Sequence, residues 1–69
     1  MMRYAVVIEK AENNYSGYVP DLPGCVATGA TVGEVEEELK LAIRFHLDGL
    51  KEDGLPTPLP SAVAEYVDA

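Results

Sequence analysis

All five prolines of the chain fall in two clusters, Pro20 with Pro23 and Pro56 with Pro58 and Pro60, and the clusters fix where regular structure can run. A proline locks its own φ and donates no backbone hydrogen bond, so each cluster interrupts helix and strand alike. Between them lies one long proline-free stretch. Thr31-Val32-Gly33-Glu34 has the form of a capping box, with Thr31 as N-cap and Glu34 reaching back. Glutamates follow at 36, 37 and 38, which suits the positive end of a helix. Gly54 fits the position just past a helix C-terminus, and Pro56 stops any continuation. The spacing predicts a helix over about 32–53.

At 100° per residue, Val32, Val35, Leu39, Ala42, Ile43, His46 and Leu50 fall on one stripe, the face expected to meet the rest of the fold. Leu41 and Phe45 do not belong to it. They sit one turn apart toward the far side, among Glu34, Lys40, Arg44 and Asp48. Two readings stand for them: a second contact surface, or isolated surface apolar residues of the ordinary kind.

The remainder reads as strands. Residues 3–9 are β-branched and aromatic, as a strand buried on at least one face requires. Asn13 and Asn14 mark a turn, and residues 15–19 read as a second, antiparallel strand in which Gly17 marks a bulge or a close approach. The corner Pro20-Asp21-Leu22-Pro23-Gly24 is stiff, with an acidic residue at its tip, and residues 25–28 follow as a third strand. After a polyproline-like spacer, residues 62–67 alternate as a fourth strand that the helical crossover returns to the sheet. The expected class is α+β, in the order β-β-β-α-β: a three-stranded meander, a returning fourth strand and one long helix on one face.

Size and charge narrow the function. Sixty-nine residues make one domain with a small core, which a disulfide, a metal or a partner subunit commonly supplements. Cys25 is the only cysteine and no zinc-ligand spacing is present, so a homo-oligomer or a tight partner is expected. A net charge of −7 with five scattered basic residues opposes direct nucleic-acid binding. It suits a basic protein partner instead. No signal peptide leads the chain and no apolar run reaches membrane-spanning length, so a cytoplasmic, non-membrane protein is expected.

Catalytic chemistry is poorly provided for. His46, the only histidine, falls within the apolar stripe and reads as a core residue. Cys25 reads as a small core hydrophobe, because a nucleophilic pair with His46 lacks an orienting third group. Glu9, Glu34 and Asp68 could converge on Mg²⁺ for a metal-dependent hydrolase, though capping and dipole effects already account for the helix acids. No catalytic residue, metal or cofactor is assigned.

The Pro20-Asp21-Leu22-Pro23-Gly24-Cys25 element, Gly29-Ala30-Thr31 before a Glu-rich helix ending at Gly54, and Pro56 and Pro58-Leu59-Pro60 beyond it resemble the HicB-like antitoxin family over roughly residues 4–67. The resemblance implies a reduced ribonuclease-H-like sheet with one helix. It further implies a non-enzymatic antitoxin that masks a small basic HicA-like toxin, a ribonuclease of double-stranded-RNA-binding-like fold. Many members of that family add a C-terminal DNA-binding segment; this sequence stops at Ala69, so repression by direct operator binding is not expected of it. Pro20, Asp21, Leu22, Pro23, Gly24, Leu41 and Phe45 are the candidate contacts to a partner or to a second copy. An orphan regulatory or ligand-binding domain is the alternative.

Overall fold

The protein, described over residues 2–69 by a computed structural model, is a three-stranded antiparallel sheet with one long helix laid across it. Strands β1 (Val7–Lys10), β2 (Tyr15–Tyr18) and β3 (Val26–Gly29) lie in the order β1-β2-β3, and helix α1 spans Val32–Glu52. Each strand is four residues long. The first is shorter than the sequence suggests, for a reason found in its neighbour. Val7 pairs with Tyr18; beyond it Val19 turns its N–H to the Cys25 carbonyl and its own carbonyl to the Leu22 N–H, away from β1, and Pro20 has no N–H with which to continue the ladder. Residues 3–6 therefore run past the end of β2 without a ladder partner. The Cys25 N–H is likewise taken by the Leu22 carbonyl, which starts β3 one residue later than expected.

The helix follows its sequence signals closely. The Glu34 N–H donates to Thr31 Oγ1 at 3.1 Å, and Glu34 Oε2 accepts from the Ala30 N–H at 2.7 Å. The glutamate thus reaches one residue further back than in the usual capping box. At the other end, Asp53 caps, and the N–H groups of Asp53, Gly54 and Leu55 turn back to the carbonyls of Gly49, Lys51 and Leu50.

Residues paired across an antiparallel ladder share a face. Ile8, Gly17 and Ala27 form one such row and Lys10, Tyr15 and Gly29 another, on the side covered by α1. Val35 and Leu39 press onto Gly17 so closely that a Cβ built there would stand 2.8 Å from Val35 Cγ1, 3.0 Å from Leu39 Cδ1 and 3.0 Å from the Val7 carbonyl oxygen. Gly17 is where the helix touches the sheet backbone. The core is Val19, Leu22, Cys25, Val35 and Leu39, with Tyr4, Val6, Ile8, Tyr15, Ala27, Ile43 and Leu47 packed around it.

The returning fourth strand is not present among the described residues. No residue beyond Glu52 belongs to a strand or helix, so the observed order is β-β-β-α. Residues 62–67 nevertheless lie where that strand would go. The Tyr4 hydroxyl donates to the Pro58 carbonyl, Asp21 binds Ser61 and Ala62, and Ala64, Glu65 and Tyr66 line a hollow with Val6, Val7 and Ile8. The tail runs in the same direction as β1, without a ladder. Helix α1 is centred on β2 and β3, so a strand outside β1 lies about 4.8 Å further out. There its alternating apolar side chains gain little burial to offset the entropy of ordering the backbone.

Candidate interaction surfaces

The corner between β2 and β3 is built around an inward-pointing leucine. Leu22 is 0% exposed and Val19 and Cys25 are 3% exposed, so three side chains of this short stretch form most of the sheet-side core. The backbone closes the ring through three bonds of 3.1 Å among Val19, Leu22 and Cys25, and Gly24 turns the chain out of it at φ +88°. That φ lies in the left-handed region, where a side chain is strained. Pro20, Pro23 and Gly24 are exposed. Leu22 offers nothing to a partner unless the corner opens.

Asp21 holds the tail. Its Oδ2 accepts from the Ser61 N–H at 3.0 Å and the Ala62 N–H at 3.1 Å, and its Oδ1 accepts from Ser61 Oγ at 2.7 Å. The bond from the Ala62 N–H, then those from the Ser61 hydroxyl and N–H, favour the charged form and lower the carboxyl pKa below its ordinary 3.8, against an opposing push from burial. Because the folded value is lowered, the clasp is fully present above the ordinary carboxylate range and is lost as pH falls through the lowered value. On acid titration, the amide resonances of Ser61 and Ala62 are expected to move toward free-chain positions as Asp21 protonates. In Asp21→Ala they sit there at every pH. Wild-type Ser61 and Ala62 resonances that match those of Asp21→Ala at neutral pH would exclude the clasp.

The outer side of α1 presents a different chemistry. Leu41 is 57% exposed and Phe45 83% exposed. At 100° per residue they fall within a stripe roughly 100° wide whose other members, Glu34, Glu37, Glu38, Asp48 and Glu52, are all acidic and exposed. Lys40, Arg44 and Lys51 lie together on the adjoining flank. Two large apolar side chains thus stand in a row of carboxylates bordered on one flank by Lys40, Arg44 and Lys51, and the row itself is complementary to a basic protein with an apolar recess. The sheet face opposite the helix carries a second apolar set, with Tyr18 43% and Val26 66% exposed beside Ser16 and Thr28. Sequence reasoning did not single out this pair; the ladder register, which puts Tyr18 opposite Val26, is what brings it together.

The residues weighed for catalysis are not assembled. Among the described residues no group of three or more His, Cys, Asp and Glu side chains is placed to hold a metal ion, so Glu9, Glu34 and Asp68 stay apart. Cys25 is buried, its thiol directed at the Ala42 carbonyl at 3.8 Å, and desolvation raises its pKa, which keeps it in the protonated, poorly nucleophilic form. His46 is half-buried beside Phe45, Gly49 and Leu50. Among the described residues no helix is long and apolar enough to cross a membrane.

Comparison with known proteins places this arrangement. The model of the HicB_like antitoxin of bacterial toxin-antitoxin systems matches residues 4–69. A 14.9 kDa protein from the rep-hol intergenic region of Haemophilus phage HP1 is 37% identical over 67 residues, covering 97% of this chain. The chain spans 50% of that phage protein's length. A UPF0150 protein of Helicobacter pylori is 45% identical over 49 residues, 71% of this chain and 68% of that protein. A UPF0150 protein of Thermoplasma acidophilum is 39% identical over 62 residues, 88% of this chain and 90% of that one.

Proposed function

We propose, since this chain belongs to the HicB-like antitoxin family of bacterial toxin–antitoxin systems, that it binds and masks a small basic HicA-like ribonuclease toxin through the outer stripe of α1. The supporting observation is the composition of that stripe: Leu41 and Phe45 are exposed, and the residues that share the stripe with them, Glu34, Glu37, Glu38, Asp48 and Glu52, are all acidic. A nuclease that grips RNA carries a basic surface. An acidic surface with an apolar anchor occupies such a site by the same electrostatics as its substrate and gains affinity from the burial of phenylalanine. The inhibition is steric and electrostatic. No bond is made or broken by this chain.

The test is co-expression with the small basic product of the neighbouring reading frame, followed by pull-down, calorimetry and an assay of RNA cleavage. Phe45→Glu is expected to weaken the complex by about 2 kcal/mol or more, roughly 30-fold in Kd, with unfolding unchanged because Phe45 is 83% exposed. Affinity should also fall as salt is raised. Undiminished affinity of Phe45→Glu would remove the helix stripe as the interface. A neighbouring basic product that neither co-purifies nor loses activity would remove the inhibitor reading itself.

A further inference from the structure

The sheet has two edges, and they are not alike. The tail lies beside β1, and β1 carries Glu9 and Lys10, exposed charges of the kind that blunt an edge. Strand β3 has no neighbour on its outer side among the described residues, and its sequence Val26-Ala27-Thr28-Gly29 holds no charge and no proline. Its outward groups follow from the ladder. One residue before Val26 the Val19 N–H donates to the Cys25 carbonyl, and hydrogen-bonded pairs alternate along an antiparallel ladder. Ala27 and Gly29 therefore bond to β2, and Val26 and Thr28 turn their N–H and C=O groups to the outer edge.

Charge selects what adds to this edge. Glu34, Glu37 and Glu38 of α1 line a hollow with Thr28, and Phe45 lines another with Gly24, His46 and Asp53 just before β3. On the other face of the sheet Thr28 shares its row with Ser16 and Glu9. Among the described residues no lysine or arginine stands on this side. Arg3 and Lys10 belong to the β1 region, beyond β2, and Lys40, Arg44 and Lys51 share the flank of α1 on which Lys40 and Arg44 line a hollow with Met2 and Tyr4. A second copy adding its own β3 about a two-fold axis would set Glu34, Glu38 and Asp53 against their counterparts, because an isologous contact brings each patch onto itself. An extended segment bearing Lys or Arg meets carboxylates along the whole edge instead, and an apolar residue within it meets Phe45.

We propose that the outer edge of β3 accepts a basic β-strand from the partner, extending the sheet to four strands alongside the acidic side of α1. This rests on the reading of a masked basic toxin and adds the main-chain contact by which that partner is held. Amide hydrogen exchange reads it directly. In the free chain the Val26 and Thr28 amides are expected to exchange rapidly and the Ala27 amide slowly. In the complex with the basic product of the neighbouring reading frame, Val26 and Thr28 should become protected as well. Thr28→Pro removes an outward N–H and no ladder bond, the one setting in which a strand tolerates proline. It should raise the Kd of the complex at least about tenfold, with circular dichroism checking the fold. If Thr28→Pro unfolds, the exchange comparison on the wild-type chain decides alone. A folded Thr28→Pro that binds undiminished overturns the proposal. A complex that Phe45→Glu weakens but in which Val26 and Thr28 still exchange freely overturns the strand addition and keeps the toxin reading. If the basic product does not bind, the toxin reading falls and a synthetic peptide of alternating valine and lysine tests the edge. Protection of Val26 and Thr28 by that peptide supports the proposal, and its absence overturns it.

Discussion

Leu22→Ala is expected to cost about 2–5 kcal/mol, the range for truncating a fully buried leucine. A domain of this size holds a total stability of only about 3–10 kcal/mol, taking 0.05–0.15 per residue, so the variant should be partly unfolded at ambient temperature. Leu22 is 0% exposed and stands at the junction of Val19, Cys25, Val35 and Leu39. Its removal leaves a cavity under the corner where sheet and helix meet. Leu22→Met, which conserves volume, should cost less than about 1.5 kcal/mol. Urea denaturation with linear extrapolation measures both. The pair also separates two roles for the corner. If Leu22 served a partner rather than the core, alanine would weaken binding and leave the unfolding midpoint where it was.

That corner shows where sequence reasoning stops. Its stiffness and its position between two strands are legible in Pro20, Pro23 and Gly24, because proline and glycine act on their own backbone. The direction of its side chains is not local information. Loops lie on the surface by default, and nothing in the run Pro-Asp-Leu-Pro-Gly says that Leu22 turns inward while Asp21 turns toward a segment forty residues later. Ser61 and Ala62 are chosen as partners by the path of the proline spacer, which only the assembled fold supplies.

The helix is the opposite case. Its ends are written in Thr31, Glu34 and Gly54 and its faces in a 3.6-residue period, and every one of these signals acts within a turn or two. The exposure of Leu41 and Phe45 follows from the same period. Residues 62–67 carry a correct strand alternation and still form no strand, because alternation states a preference and burial supplies the energy. With α1 spread over β2 and β3, the position outside β1 supplies little within one chain.

Gly17→Ala is expected to destabilise the fold by about 1–3 kcal/mol, the cost of overfilling a close-packed contact, even though alanine ordinarily improves on glycine in regular structure. The added Cβ meets atoms at 2.8, 3.0 and 3.0 Å, and two of the three cannot readily yield. Val35 is β-branched and held near one χ1 on the helix, and the Val7 carbonyl is backbone within the β1–β2 ladder. The helix must therefore lift from the sheet, loosening Leu39 and Leu22 with it. Gly49→Ala is the matched control. Gly49 lies within α1, and a Cβ added there has nothing within 4 Å, so alanine should stabilise by about 0.8–1 kcal/mol through helix propensity. Opposite signs for the two substitutions, read from urea midpoints, separate steric contact from backbone entropy. Two substitutions that both stabilise would mean that α1 does not rest on Gly17, and the placement of the acidic stripe on the outer side of the helix would have to be rebuilt.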